Sequence, residues 1–305
     1  MERMFTVPVR GGQLAACSWG EGPPDCLAIH GASMSHRSWA GVARQSHGKS
    51  RVGSLIALDL RGRGRSVGKL RKRRLAQYAD DCAAVLRSVC STAATGPVTV
   101  AGHSSGGFVA LVLAHRHPEL VRRLVLVDGG PPRPKPADFE ASANPENITS
   151  PAAKRLSMRF ADHEAYRQYW HDHPAITSWN EVIEDFVDYD LVPAEDGGYR
   201  SSVSWDAIRG DAEDIFLGKD LPAAWANLKH PAILVRAERG MLNQATPYYP
   251  DISAVETRIP VVTVPSSNHY SIVLEPEPAG VVASYLEPHR DTVHANPVDG
   301  KGSRQ

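Results

Sequence analysis

Short runs of aliphatic residues, separated by segments of different character, follow one another along most of this chain. They occupy residues 26–29, 54–60, 98–101, 123–127, 232–235 and 261–264. Continuous apolar runs of this length are typical of strands in a parallel sheet that is buried on both faces. Between the second and third runs, residues 78–89 place their apolar side chains at helical spacing. The alternation of strands and helices predicts an α/β fold with a parallel sheet.

The pattern changes between Gly129 and about Leu228, where helical segments replace the apolar runs. Three amphipathic helices are predicted here, over residues 162–173, 178–190 and 204–216. A helical segment inserted between two strands lies over their carboxyl ends, where open α/β sheets bind ligands. Aromatic residues on the first two of these helices favour an apolar pocket under the inserted segment, although each fits equally well in that segment's own core. These residues are Tyr166, Tyr169, Trp170, Trp179, Phe186 and Tyr189.

The length of 305 residues permits one large domain or two. We predict a core made of residues 1–130 and 229–286, with residues 131–228 inserted into it as a helical cap. The polar residues 287–305 show no periodicity, and we predict that they form a disordered tail.

The composition narrows the possible classes of function. With 34 basic and 34 acidic residues, the chain has no net charge that would draw it to nucleic acid or to an anionic membrane. It contains no run of about 18 apolar residues, and its N-terminal residues do not have the apolar stretch of a secretory signal. Four cysteines without metal-ligand spacing are predicted to be buried thiols in a reducing compartment: Cys17, Cys26, Cys82 and Cys90. The thiols indicate a cytoplasmic protein. We also expect a monomer or homodimer, a small molecule as its partner, and no metal or other cofactor.

A basic run covers residues 61–74, in which eight of 14 residues are lysine or arginine. A contact with an anion or with nucleic acid is one interpretation of such a run. Because the overall charge of the chain is balanced, we interpret the run instead as a solvated loop that follows a strand.

Residues 98–107 read Val-Thr-Val-Ala-Gly-His-Ser-Ser-Gly-Gly, a β-branched run followed by a glycine-rich turn. With the helix-compatible segment behind it, this order predicts a strand, a sharp turn and a helix. Ser104 lies on the turn, with its hydroxyl pointing out of the sheet. Gly102 and Gly106 flank it because side chains there would collide with the neighbouring strand and helix. Ser105 does not have glycines at this spacing, so we predict that Ser104 is a catalytic nucleophile.

A serine hydroxyl needs a general base at neutral pH. His269 follows the last predicted strand, at the same end of the sheet as Ser104, and is therefore the predicted base. His103 is predicted to pack away from Ser104. A glycine-containing turn after the first apolar run places the backbone N–H of Ala32 beside Ser104. Together with the N–H of Ser105, it is predicted to form an oxyanion hole.

This set of residues resembles the α/β-hydrolase superfamily. The resemblance spans about residues 5–286 and rests on the Ser104 turn, His30-Gly31, the segment from Asp59 to Ser66, and Asn268-His269. It is closest to the branch of capped esterases, lactonases and carbon–carbon bond hydrolases. It implies a doubly wound, mostly parallel eight-stranded sheet with a helical cap inserted between strands six and seven. Epoxide hydrolases and haloalkane dehalogenases carry aspartate at the turn, and Ser104 argues against both.

Most of the superfamily carries an aspartate shortly after strand seven, and this chain departs from that pattern. The corresponding turn, residues 237–243, has Gly240 where the acid is expected. Asp128, which ends the predicted strand beside the nucleophile strand, is our preferred acid, and Glu238 is the alternative. An acid in this position holds the imidazole tautomer and stabilises imidazolium. Asp128 also suits a turn-forming role in Asp-Gly-Gly-Pro, so the sequence leaves its function open.

The sequence therefore predicts a serine hydrolase that cleaves a carboxylic ester or lactone of a small, largely apolar substrate through an acyl-enzyme. Two alternatives stay open. A small-ligand binding protein or sensor of the same fold would tolerate a weakened triad and turn over little substrate. A carbon–carbon bond hydrolase or a perhydrolase would use the same residues, because one fold supports many reactions.

Overall fold

The computed structural model describes residues 2–49, 53–89, 96–136, 139 and 151–286. Within them, a main sheet of nine strands is flanked by helices, and a two-stranded hairpin stands apart from it. The strands are β1 (Glu2–Val9), β2 (Gly12–Gly20), β3 (Cys26–Ile29), β4 (Ser54–Leu58), β5 (Val67–Gly68), β6 (Val98–His103), β7 (Val121–Val127), β8 (Leu191–Pro193), β9 (Tyr199–Ser201), β10 (Ala232–Ala237) and β11 (Val261–Val264).

The helices follow the strands in the alternating order that the apolar pattern predicts. They are α1 (Ala40–Lys49), α2 (Arg74–Val89), α3 (Ser105–Arg116), α4 (Pro151–Ser157), α5 (His163–His171), α6 (Glu181–Asp190), α7 (Trp205–Leu217), α8 (Asp220–Ala226), α9 (Ser253–Glu256), α10 (Ser271–Leu274) and α11 (Pro276–Ser284). Two short 3-10 helices occupy His36–Trp39 and Pro118–Leu120.

Six strands of the main sheet run parallel in the order β4-β3-β6-β7-β10-β11, and β2 and β1 continue the sheet antiparallel beside β4. The doubly wound, mostly parallel sheet of eight strands is therefore confirmed, with one addition. The ninth strand, β5, has two residues, which pair with Gly12 and Gln13 of β2. Two residues are too few to show a periodicity, so the apolar pattern did not indicate this strand.

Alternate residues of the central strands belong to separate apolar cores on the two faces of the sheet. Ala101 and Val125 belong to a core shared with α1 and α11, whereas Val100 and Leu124 belong to a core shared with α2 and α3. Burial of one aliphatic side chain of this kind stabilises the fold by about 1.5–3 kcal/mol. The carboxyl ends of the six parallel strands meet at one edge of the sheet, and the loops that follow them converge there.

The described part of the chain between β7 and β10 forms α4 to α8 and the hairpin of β8 and β9. The third predicted helix agrees with α7, whose N-cap is Ser204. The second begins later than predicted, at Glu181 rather than Ser178, because the side chain of Asn180 accepts the first free N–H groups of α6 and so fixes its start. The division of the chain into core and cap stays a prediction, and residues 287–305, the predicted tail, lie outside the described residues.

The aromatic side chains predicted on α5 and α6 pack mainly against one another. Tyr166, Trp170 and Phe186 are buried, with the Trp170 ring centroid 5.5 Å from that of Phe186. The sequence left open whether these side chains line a pocket or pack in a core, and the structure shows core packing for these three residues.

The interpretation of residues 61–74 as a solvated loop is wrong for three of the arginines. Arg61 and Arg63 are each 1% exposed, and Arg74 is also buried. Their carboxylate partners come from helices elsewhere in the chain, the most distant being 148 positions away. Their ion pairs are Arg61–Asp81, Arg63–Asp211 and Arg74–Asp206, and the exposed Arg73 pairs with Asp220. Because a local run of charge does not reveal partners so far along the chain, the run looked like a solvated surface.

Three of the four cysteines, Cys17, Cys26 and Cys82, are buried free thiols, as predicted, and Cys90 lies outside the described residues. Burial raises the pKa of Cys17 and of Cys26 to about 12, so both thiols stay protonated. None of the helices in the described ranges combines the length and the apolar character needed to cross a membrane.

Candidate active site

Ser104 lies at the sharp turn between β6 and α3, with φ of 53° and ψ of −121°. The turn is tight because two glycines allow close backbone approach. A Cβ on Gly102 would lie 2.3 Å from the carbonyl oxygen of Gly106, and one on Gly106 would lie 2.2 Å from that of Ile29. A positive φ at a non-glycine residue stores strain of about 1–3 kcal/mol, which a functional site retains when geometry demands it. The turn presents Ser104 at the N-terminus of α3, as the sequence predicts.

His269 lies in the loop after β11 and reaches Ser104 across the edge of the sheet. Its Nε2 is 2.9 Å from Ser104 Oγ. The loop is shaped by Asn268, whose side-chain oxygen accepts the backbone N–H groups of Tyr270 and Ser271 at 2.9 Å each. The structure therefore brings the predicted nucleophile and the predicted base within hydrogen-bonding distance.

His103 is buried against the His269 imidazole. It donates from Nε2 to the backbone carbonyl of His269 at 2.8 Å, and the two ring centroids lie 4.8 Å apart. Burial, together with the nearby imidazole of His269, lowers the pKa of His103 well below its usual value, so its ring is neutral. The sequence predicted a packing residue that points away from Ser104. His103 does pack, but it also borders the cavity in front of Ser104.

Asp128 follows β7, the strand that pairs with the nucleophile strand β6. It is fully buried, and its Oδ2 accepts a hydrogen bond from Nδ1 of His269 at 2.6 Å. Its other oxygen accepts the backbone N–H of Ala237 at 3.1 Å. Glu238 is exposed, and its carboxylate accepts the backbone N–H of Ser266 at 2.8 Å. Of the two acids that the sequence offered, the structure therefore places Asp128 against the imidazole.

The two predicted oxyanion donors belong to residues that lie near Ser104. Ser105 is the first residue of α3, so its N–H is among the free amides at the positive end of the helix dipole. Ala32 borders the same cavity as Ser104, and a Cβ on the preceding Gly31 would lie 3.2 Å from Ser104 Cβ. Within the described residues, neither amide donates to a protein acceptor.

His30 fixes the peptide that carries the Ala32 amide. Its Nδ1–H donates to the carbonyl of Gly31 at 2.7 Å, and its Nε2 accepts the N–H of Leu60 at 2.9 Å. Complete burial lowers the pKa of His30 to about 4, so the imidazole is neutral at neutral pH and both roles are filled by one tautomer. Because the Gly31 carbonyl and the Ala32 N–H belong to one planar peptide group, this bond also orients the amide.

A cavity of about 350 Å³ opens in front of Ser104. Its walls are largely apolar. The segment between β7 and β10 supplies half of the described lining residues, among them Phe139, Leu156, Trp205, Ile208, Ala212 and Phe216. Arg209 and Glu213 also border it and pair with each other at 3.2 Å. The aromatic residues singled out from the sequence are absent from this lining. The amphipathic pattern of α7 indicated an inward face but not whether that face meets a core or a cavity.

Comparison with known proteins places these observations in a family. The model of the alpha/beta hydrolase family matches residues 26–284. The chain is 30% identical over 225 residues to the 2-(acetamidomethylene)succinate hydrolase of Mesorhizobium japonicum, covering 73% of this chain and 74% of that protein. It is 33% identical over 127 residues to an esterase of Mycobacterium tuberculosis, covering 40% of this chain and 39% of that protein.

Solved structures agree with the sequence matches. The crystal structure of E-2-(acetamidomethylene)succinate hydrolase superposes on this chain with a TM-score of 0.75 and 25% sequence identity. The match covers 94% of this chain and 99% of the other. The order of the strands, the serine turn and the extent of these matches lead to one conclusion: the chain belongs to the α/β-hydrolase family.

Proposed function

We propose that this protein hydrolyses carboxylic esters or lactones with a small, uncharged, largely apolar acyl group, through an acyl-enzyme. The observation that carries the proposal is the unbroken chain of hydrogen bonds from Ser104 through His269 to Asp128, with distances of 2.9 and 2.6 Å. Such a chain is the arrangement by which a serine hydroxyl becomes a nucleophile at neutral pH.

In the first step, Ser104 Oγ attacks the carbonyl carbon while Nε2 of His269 takes its proton. The buried carboxylate of Asp128 accepts Nδ1–H, which keeps the Nε2 lone pair directed at Ser104 and stabilises the imidazolium that forms. The amides of Ala32 and Ser105 receive the oxyanion, and each such donor is worth about 3–4 kcal/mol of transition-state stabilisation. His269 then gives its proton to the departing alcohol, and a water activated by the same imidazole cleaves the acyl-enzyme.

The cavity favours a neutral acyl group over an acidic one. Its volume of about 350 Å³ suits a small ligand, and most of its lining is apolar. The described lining of the cavity contains one arginine, Arg209, which forms ion pairs with Glu213 and with Asp206. A substrate carboxylate in this cavity would lose its hydration without gaining a free cation, which is unfavourable.

A second candidate substrate comes from the relatives. The Mesorhizobium japonicum protein, 30% identical to this chain, is named for 2-(acetamidomethylene)succinate, which carries carboxylates. That compound therefore belongs in the test, although the paired arginine of the cavity argues against it. The alternative of a binding protein with little turnover was motivated by the missing acid after β10, and it loses that support because Asp128 lies against His269.

A substrate panel tests the proposal. Turnover of p-nitrophenyl acetate, butyrate and octanoate, of γ- and δ-lactones, and of 2-(acetamidomethylene)succinate is measured for the wild-type protein and for Ser104→Ala. We expect the highest kcat/KM on a neutral ester or lactone and a loss on the order of 10⁴-fold or more in Ser104→Ala. Faster turnover of the succinate than of every ester would transfer the function to the second candidate. Recovery of all compounds intact would instead support the binding protein.

A further inference from the structure

Two buried arginines hold consecutive backbone carbonyls in the loop that carries the Ala32 amide. Arg63 donates from Nε to the carbonyl oxygen of Ala32 at 2.8 Å, and Arg155 donates from Nη2 to that of Ser33 at 3.1 Å. Both arginines are 1% exposed. The carbonyls of surface loops are ordinarily hydrated, so two guanidinium groups directed at neighbouring carbonyls hold this loop in a defined conformation.

Arg63 is itself held on its remaining sides. Its Nη1 donates to the carbonyl of Arg61 and to the hydroxyl of Tyr78, each at 2.9 Å, and its Nη2 pairs with Asp211 of α7. The Tyr78 hydroxyl donates to Asp211 at 2.9 Å. These contacts fix the plane of the guanidinium and therefore the direction from which it holds the Ala32 carbonyl.

Arg155 has an equivalent set of partners. Its Nη1 pairs with Asp190 at the end of α6 and contacts the hydroxyl of Tyr166, and it donates to Ser201 Oγ at 2.9 Å. Asp190 and Asp211 both lie between β7 and β10, so each arginine joins the loop to that segment. Helix α7, which carries Asp211, also supplies part of the cavity wall.

We propose that Arg63 and Arg155 are positioning residues, which aim the Ala32 amide at the substrate oxygen and make that aim depend on the docking of α6 and α7. The proposal rests on the function of Ala32 as an oxyanion donor given above. Such donors act because they are oriented before the reaction, and a displacement of about 1 Å can lower the rate about 100-fold. Lysine cannot replace either arginine without loss, because the bonds require a planar fork with donors on several nitrogens.

A purely structural ion pair would behave differently, and the chain offers a matched control. Arg61 is as buried as Arg63, lies in the same loop, and pairs with Asp81 at 2.6 Å. The other described bonds of its side chain go to the carbonyls of Arg10 and Gly11, away from the Ala32 loop. Arg61→Lys therefore disrupts a comparable guanidinium–carboxylate contact, and the Arg61 side chain does not contact the loop of the proposed oxyanion hole.

The test compares Arg63→Lys and Arg155→Lys with Arg61→Lys. Folding is followed by the thermal midpoint, and reactive sites are counted by titration with a fluorophosphonate. For p-nitrophenyl butyrate, we expect kcat per titrated site to fall about tenfold or more in Arg63→Lys and Arg155→Lys, with KM changed by less than about threefold. Inhibition by an aryl trifluoromethyl ketone, whose adduct carries an oxyanion, should weaken by a similar factor. Arg61→Lys should lower the thermal midpoint while kcat per site stays within about twofold.

A wild-type kcat per titrated site in folded Arg63→Lys overturns the proposal, and so does an equal loss of kcat in Arg61→Lys. If Arg63→Lys does not fold, Tyr78→Phe removes a single oxygen between Arg63 and Asp211 and is expected to lower kcat about threefold. An unchanged kcat in Tyr78→Phe would then overturn it. A wild-type protein that neither reacts with the fluorophosphonate nor cleaves esters contradicts the proposed function instead, so the two failures are distinguishable.

Discussion

Asp128 and His269 lie 141 positions apart in the sequence, and Asp128 Oδ2 accepts a hydrogen bond from His269 Nδ1 at 2.6 Å. The carboxylate that contacts the imidazole therefore comes from the end of β7, directly beside the strand that carries Ser104, and not from the turn after β10. Asp128 adopts a positive φ of 44°, a conformation that a non-glycine residue rarely takes up. The backbone N–H of Asp128 donates to the carbonyl of Val235, and its Oδ1 accepts the backbone N–H of Ala237. The main chain of β10 therefore fixes this carboxylate.

Replacing the acid should separate the two candidates by activity. Asp128→Asn keeps the shape of the side chain but no longer holds the imidazole tautomer, so we expect kcat on p-nitrophenyl butyrate to fall on the order of 10³–10⁴-fold. Glu238→Gln changes an exposed carboxylate and should leave kcat within about twofold. Steady-state kinetics on both variants checks this, and the reverse ranking would assign the role to Glu238.

The strained turn at Ser104 gives a stability prediction that does not depend on the substrate. Ser104→Ala and Ser104→Gly both remove the hydroxyl and its bond to His269, but glycine adopts φ of 53° without a Cβ clash. We expect Ser104→Gly to be more stable than Ser104→Ala by about 1 kcal/mol. Urea unfolding of the two variants measures the difference. A more stable Ser104→Ala would show that the turn is not strained.

The neutral imidazole of His30 predicts a dependence of stability on pH. Burial lowers its pKa in the folded protein from 6.5 to about 4, so between these values the unfolded chain binds the proton more tightly. The stabilisation is complete above pH 6.5 and is lost as the pH falls through 4, by about 3 kcal/mol in total. His30→Gln retains a donor and an acceptor without titrating. Urea unfolding at pH 7 and pH 4 should therefore show a larger loss in the wild type than in His30→Gln, and equal losses would refute the assignment.

The apolar cavity predicts a limit on the length of the acyl chain. Ala212 of α7 borders the cavity and is partly exposed within it, so Ala212→Leu should fill space near Ser104. We expect kcat/KM for p-nitrophenyl octanoate to fall about tenfold, with little change for the acetate. Ala226→Leu, at an exposed position at the end of α8, is the control. A parallel loss on both esters would place the acyl group elsewhere.

Much of the site could be predicted because the sheet is parallel. Ser104 and His269 each follow a predicted strand, and the carboxyl ends of parallel strands share one edge, so their proximity follows from chain order. The choice between Asp128 and Glu238 depends instead on which side chain leaves its strand toward the imidazole. Glu238 lies one residue beyond β10 and is exposed, and its carboxylate accepts the backbone N–H of Ser266. The hydrophobic pattern of the sequence does not indicate the direction of this side chain.

Pairings across long stretches of sequence were beyond prediction for a different reason. Arg63 and Asp211 are 148 positions apart, and nothing in the local charge run distinguishes Arg63 from its exposed neighbours. Helical spacing likewise predicted amphipathic helices over residues 162–173 and 204–216, which contain Tyr166 and Ile208. Whether an inward face meets a core, as for Tyr166, or a cavity, as for Ile208, depends on how the helices pack together.

If Ser104 is the nucleophile, its hydroxyl becomes acylated during turnover, and this intermediate can be trapped. The wild-type protein and Ser104→Ala are mixed with p-nitrophenyl butyrate and quenched in acid within milliseconds, and intact and peptide masses are then recorded. We expect one butyryl group on Ser104 of the wild type and none on the variant. A butyryl group on another residue, or ester turnover in Ser104→Ala at the wild-type rate, would rule out Ser104 as the nucleophile.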